Sequence, residues 1–219
     1  MSGPTLIIGN KNYSSWSLRP WLFMRQNHID FTEKRVPLYT PDSDAELEKY
    51  GSDYKVPILL DGDLVVWDSL AILEYLSEQH LDGAGWPPDP AARAIARSIS
   101  SEMHSSYVNV RHEMPMNVRK QFPGVTLSPA AEREVLRIVQ LWQRCRREFG
   151  QEGEWLFGHF SIADAMFAPI ALRLHGYNVP LQAVERDYVH TILNQPAIQE
   201  WIEAGKLEAE IIEDAELKI

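Results

Sequence analysis

Apolar residues come in short runs early in the chain and in helical stripes later. Thr5 to Gly9 (TLIIG), Phe31 to Val36 (FTEKRV), Pro57 to Leu60 (PILL) and Leu64 to Trp67 (LVVW) have the length and the β-branched or aromatic content of strands. Trp16 to Asn27 reads as a helix, Asp44 to Tyr50 as a weaker one, and Asp61-Gly62 as a hairpin turn joining the last two strands. A helix over 68–80 (DSLAILEYLSEQH) follows. The order β-α-β-α-β-β-α attaches a hairpin and a helix to a β-α-β unit, which predicts a small mixed sheet carrying helices.

The 68–80 helix is apolar nearly all round (Leu70, Ala71, Ile72, Leu73, Tyr75, Leu76), so cover on more than one side is expected. The Gly and Pro of LDGAGWPPDP then mark a linker, and strand signals stop from Ala91 onward. Helices are predicted over 90–113, 129–149, 162–175, 181–194 and 196–204, followed by an acidic tail. Two domains result, α/β over 1–82 and all-α over 89–219, with the 68–80 helix packed between them. Ser161, three residues before Asp164, forms a capping box ahead of a strongly apolar helix that Pro169 should bend.

Composition narrows the function. The chain has 219 residues, 45% of them hydrophobic, enough for a substantial core. Its formal net charge of -10, with basic residues scattered, argues against a nucleic-acid partner, which needs a clustered Lys/Arg face. No run approaches the roughly 18 apolar residues of a membrane span. The start MSGPTLIIGNKNY lacks the basic-then-apolar order of a leader, so a soluble cytoplasmic protein is expected. The single cysteine, Cys145, excludes an intrachain disulfide and a Cys-rich metal site, and its stripe with Ile138 and Trp142 predicts a buried thiol. The histidines lack metal-ligand spacing and no Gly-rich loop has a nucleotide fingerprint, so no metal is expected.

Three junctions carry candidate chemistry. In GNKNYSSWSLRPWL, Ser14 and Ser15 stand where a helix begins, with Ser17 in its first turn. A hydroxyl there caps free backbone N–H groups or, with the helix dipole, stabilises an anion. In YKVPILL, Pro57 opens a strand after Val56; a cis Val56–Pro57 bond would turn the Val56 backbone toward a peptide-like ligand, while trans is the commoner form. In WDSLAILEYL, Asp68 and Ser69 separate strand from helix and suit either a cap or the ammonium and carboxylate of an α-amino acid. On the 90–113 helix, Met103, Tyr107 and Arg111 recur at i, i+4, i+8, a spacing that fits a pocket for an apolar or anionic electrophile as well as core packing.

The ordered combination of these junctions with an all-helical second half and Ser161-x-x-Asp164 resembles the cytosolic glutathione S-transferases over nearly the whole chain. SSWSLRPW is most similar to the zeta, or maleylacetoacetate isomerase, branch. The resemblance implies a thioredoxin-like N-terminal domain followed by an all-helical one, glutathione as co-substrate, a small electrophile, and a homodimer. It implies Ser14 as the thiol-activating serine, with Ser15 and Ser17 as neighbours able to replace it. The Val56 backbone, before Pro57, would pair with the cysteinyl part of glutathione, Asp68 and Ser69 would hold its γ-glutamyl group, and Lys55 would also line the glutathione site. Trp16 stands where the zeta pattern has cysteine, and Pro20 follows Arg19. These departures turn the expectation from isomerase toward transferase or peroxidase chemistry.

Overall fold

The computed structural model describes residues 3–217. Strand β1 (Thr5–Ile8) is central, with Leu6, Ile7 and Ile8 fully buried, between a parallel β2 (Thr32–Arg35) and an antiparallel β3 (Ile58–Asp61). Strand β4 (Leu64–Trp67) pairs antiparallel with β3, giving the order β2-β1-β3-β4. Asp61 pairs with Leu64, so the hairpin turn is Gly62-Asp63, one residue later than the sequence predicts, with Gly62 at φ +58°. Strand β2, TEKR, is exposed throughout and so carries charge on an open sheet edge.

Helices α1 (Ser15–Gln26), α2 (Ser43–Glu48) and α3 (Ser69–Leu81) complete this half. Then come α4 (Pro90–Ser105), α5 (Val108–Glu113), α6 (Pro129–Phe149), α7 (Ile162–Gly176), α8 (Ala183–Leu193), α9 (Pro196–Leu207) and a 3-10 turn, Glu213–Ala215. The fold is thioredoxin-like βαβαββα followed by an all-helical part.

Two expectations change. Helix α3 buries Ile72, Leu73 and Leu76 while Ala71 is exposed and Leu70 and Tyr75 are half-buried, so only one side is covered within the chain. The two halves join chiefly through α1 and α7, with α3 also touching α7 as expected: every residue from Ile162 to Leu174 is buried, and the Arg19 side chain reaches from α1 to the Met166 carbonyl. The second change is a break in the predicted 90–113 helix. Ser106 is extended and Tyr107 left-handed at φ 60°, and the Arg111 guanidinium donates to the carbonyls of His104 and Ser106, satisfying acceptors that the end of α4 leaves free.

The capping box forms as expected. Asp164 is fully buried and accepts from the Ser161 N–H (2.9 Å) and hydroxyl (3.0 Å), the Leu156 N–H (3.1 Å) and the Tyr188 hydroxyl (2.9 Å). Helix α7 continues through Pro169.

The acidic C-terminal segment is a strap. The Glu208 carboxylate accepts the main-chain N–H groups of Lys11 (2.7 Å) and Asn12 (3.0 Å), and Arg119 donates to the carbonyls of Glu208 and Glu210. The Tyr13 hydroxyl donates to Glu216 at 2.6 Å. Gly205 permits the crossing beneath, since a Cβ there would lie 2.6 Å from Val118 and 3.1 Å from the Asn12 nitrogen. These bonds bring Ile212, Asp214 and Ala215 over the start of α1.

Candidate active site

A cavity of about 520 Å³ lies where the loop before α1, the loop either side of α2, α5, α7 and the C-terminal strap meet. Ser14, Ser15 and Trp16 form one wall, Lys55 and Val56 a second, Arg111 and Arg173 a third, and Ile212 to Ala215 close it. Strand β3 begins at Ile58, so the main-chain groups of Val56 stand outside the sheet ladder at the cavity wall; the Val56–Pro57 bond is cis.

The three serines divide by their hydrogen bonds. Ser17 is fully buried, accepts from the Gly9 N–H (3.1 Å), and is absent from the wall. Ser14 is the N-cap of α1: its oxygen accepts the Ser17 N–H (3.4 Å) and its hydroxyl donates to the Ser17 oxygen (2.8 Å). Ser15, the first residue of α1, accepts from the Arg173 guanidinium at 3.3 Å, which leaves its own proton free to donate.

Arg173 is nearly fully buried on α7 and also donates to the carbonyls of Met114 (2.8 Å) and Pro169 (3.4 Å). Burial, with the like charge of Arg111 nearby, pushes its guanidinium down to about 10, so it is charged at neutral pH. Arg19 is fully buried 4.0 Å from the Trp16 ring, and burial beside Arg173 and Arg111 lowers it well below the usual arginine range. Arg111 lies 5.1 Å from the centre of the same ring. Trp16 is thus held among guanidinium groups, and positive charge concentrates beside Ser15.

The remaining sequence candidates lie elsewhere. Asp68 and Ser69 are outside the cavity wall. Asp68 caps α3 through the N–H groups of Leu70 (2.9 Å) and Ala71 (3.4 Å), and its other oxygen meets His104 Nε2 at 2.6 Å. The His104 ring packs edge-on against Trp16, 5.5 Å between centroids, which links this pair to the serine wall. The Ser69 hydroxyl is buried with no hydrogen-bond partner, and Pro57 lies just outside the wall behind Val56.

Met103 and Tyr107 are core residues, and the Tyr107 hydroxyl donates to Glu102, away from the cavity. The periodicity that grouped them with Arg111 assumed one continuous helix, and the break at Ser106 and Tyr107 changes the phase. Only Arg111 of that trio reaches the cavity.

Sequence reading missed Arg173, Tyr13, His112 and the strap residues. For Arg173 a signal exists: one arginine in the otherwise apolar run MFAPIALRL. The strap has none, because its place depends on contacts with residues nearly two hundred positions earlier. No group of three His, Cys, Asp or Glu among the described residues is placed to hold a metal ion, and no described helix is long and apolar enough to cross a membrane.

Residues 13–79 match the family model described as "Glutathione S-transferase, N-terminal domain". The chain is 35% identical over 97 residues to a probable maleylacetoacetate isomerase of Caenorhabditis elegans, a match covering 44% of each protein. Residues 13–79 thus carry the N-terminal domain of the glutathione S-transferase family. Less than half the length of that relative is thus spanned. A stringent starvation protein A homolog of Coxiella burnetii is 28% identical over 179 residues, 76% of this chain and 79% of that one. Among solved structures, a Burkholderia glutathione transferase homolog with bound glutathione superposes with a TM-score of 0.66 at 23% identity, covering 93% of this chain and 97% of the other. The two chains share a fold.

Proposed function

We propose that the chain is a glutathione S-transferase that binds glutathione in the 520 Å³ cavity and activates its thiol for attack on a small electrophile. The observation that carries this reading is Ser15, which lines the cavity and whose hydroxyl accepts from Arg173 and keeps its proton uncommitted. A free thiol titrates near 8.5, so only a few per cent is thiolate at neutral pH, and each unit of depression is worth about 1.4 kcal/mol. An O–H donated to sulfur, the N-terminus of α1 and the charge of Arg173 all favour the anion. Glutathione is the nucleophile, and Ser15, rather than the capping Ser14 or the buried Ser17, is its activator.

The rest of the tripeptide extends from the cavity to residues beyond its wall. The main chain of Val56 pairs with the cysteinyl unit, and Lys55 supplies a cation at the rim. The γ-glutamyl group goes to Asp68 and Ser69, where its ammonium displaces His104 from Asp68 and its carboxylate meets the unpartnered Ser69 hydroxyl. Arg111 receives an anionic electrophile. Residues 1–82 form the glutathione-binding domain and 89–219 the helical domain of a cytoplasmic homodimer, in which a second copy covers the open flank of α3 at Leu70, Ala71 and Tyr75. Light scattering at micromolar concentration tests the dimer, and a monomeric mass would contradict it.

Titration calorimetry with glutathione, on the native chain and Ser69→Ala, tests the binding. Saturable binding weakened by Ser69→Ala is expected; no binding by the native chain would sink the proposal. A second reading is a transferase-like fold serving as a non-catalytic binding or regulatory protein, and the match to a protein named for stringent starvation supports it. Turnover against a panel of electrophiles, isomerase substrates and peroxides, with glutathione present, separates transferase, isomerase and peroxidase from this alternative.

A further inference from the structure

A second groove, of about 740 Å³, opens on the far side of the helical half, between α6, the loop at 124–127 and the segment leading into α8. It shares no lining residue with the candidate active site. Its walls are mostly apolar, with Val125, Leu127, Val135, Val139 and Leu181 facing one another. Among the described residues its only charged lining residues are Glu132 and Glu185, with no lysine, arginine or histidine to balance them.

Glu185 sets the chemistry. Its side chain is 98% buried, since its relative exposure is 2%. One oxygen accepts from the Gln143 amide on α6, and the other has no hydrogen-bond partner. A glutamate in the first turn of a helix often reaches back to the N-cap N–H, but here its hydrogen bond goes across to Gln143 on α6 instead, and the Gln182 side chain makes no capping hydrogen bond. A buried carboxylate oxygen without a donor is costly, and a ligand N–H group removes that cost.

We propose that this groove binds a cationic amphiphile, its ammonium or amidinium group seated on Glu185 and its apolar body lying between α6 and the Val179–Leu181 segment. The volume is that of a typical small-molecule site, about 300–1,000 Å³. Apolar walls select a hydrophobic body, and a lining with two carboxylates and no cation rejects anions. Glutathione and carboxylate-bearing electrophiles are therefore excluded, so the site is independent of the proposed transferase reaction.

Tryptamine is a suitable probe, with indole-3-propionate as its anionic counterpart and 3-ethylindole as a neutral one. Equilibrium dialysis of the full chain, with saturating glutathione present to occupy the other cavity, should give one saturable tryptamine site per chain and no competition by indole-3-propionate. Glu185→Gln keeps the shape and the hydrogen bond to Gln143, and should weaken tryptamine roughly tenfold or more while leaving 3-ethylindole unchanged. Val139→Trp fills the groove without touching the carboxylate and should abolish binding of both, and circular dichroism of each variant shows that it is folded. The proposal is overturned if the native chain shows no saturable tryptamine binding, if Glu185→Gln binds it equally well, or if the anionic analogue binds as tightly.

Discussion

The Arg173 guanidinium, on the most deeply buried helix, donates to the hydroxyl oxygen of Ser15 at the first position of α1, 3.3 Å away and 158 residues distant in sequence. This contact crosses from the helical half to the sheet half and distinguishes two adjacent serines that look equivalent in sequence. Ser14 is engaged locally with Ser17, while Ser15 has one lone pair occupied and its proton free.

Ser15→Ala should therefore raise the apparent pKa of glutathione bound in the cavity by about one unit or more, with a drop in kcat/KM of roughly tenfold to a hundredfold at neutral pH. Ser14→Ala should leave the thiol nearly unchanged and cost about 1 kcal/mol of stability through the lost cap. Ultraviolet thiolate absorbance against pH, set beside thermal unfolding of both variants, checks the assignment. The opposite pattern would return the role to Ser14.

In the proposed reaction Arg173 acts through Ser15, as a positioning residue. Arg173→Gln removes the charge and the bond to Ser15, so the pH–rate profile should move to higher pH. Arg173→Lys should recover part of that shift, although a single ammonium cannot reproduce the fork that also holds the Met114 and Pro169 carbonyls. A purely structural arginine would lower the melting temperature in both variants without moving the profile.

Cys145 supplies an internal control. It is fully buried on α6, and burial pushes its thiol up to about 12. A disulfide reagent at pH 8 should leave the native chain unmodified and titrate one thiol per chain in denaturant. Thiolate absorbance of the native complex near neutral pH then belongs to bound glutathione alone. Rapid modification of the native protein would contradict the packing around Trp142 and Cys145.

Much of this was legible because it is local. Strand and helix periods and the Ser161–Asp164 cap depend on residues a few positions apart, and most of these elements form within two or three residues of their predicted bounds. What escaped was long-range. The break at Tyr107 lies in a segment whose apolar spacing fits a continuous helix, and only Arg111 folding back on the end of α4 makes two helices of it. The C-terminal strap looks like a solvated acidic tail until Lys11, Asn12, Tyr13 and Arg119 are seen to face it. The His104 partner of Asp68 is equally invisible, since nothing in DSLAILEYL announces a histidine from α4.

Asp164 gives the clearest prediction about stability and pH. Burial pushes its carboxyl up to about 6, and its hydrogen-bond donors offset that push only in part. An ordinary aspartate in the unfolded chain titrates near 3.9, so between roughly pH 4 and 6 the folded state binds the extra proton. The stabilisation from this group is complete below pH 4, declines as pH rises, and is lost above about 6. Asp164→Asn cannot titrate, so the gap in unfolding free energy between native chain and variant should narrow by on the order of 2–3 kcal/mol from pH 4 to pH 7. Asp164→Ala leaves the Leu156 and Ser161 N–H groups and the Tyr188 hydroxyl without their acceptor and should cost roughly 3 kcal/mol or more at any pH. Urea unfolding of the three proteins at pH 4, 5, 6 and 7 measures both effects. A gap that widens with pH would mean that the donors outweigh burial and hold the Asp164 carboxyl below its ordinary value.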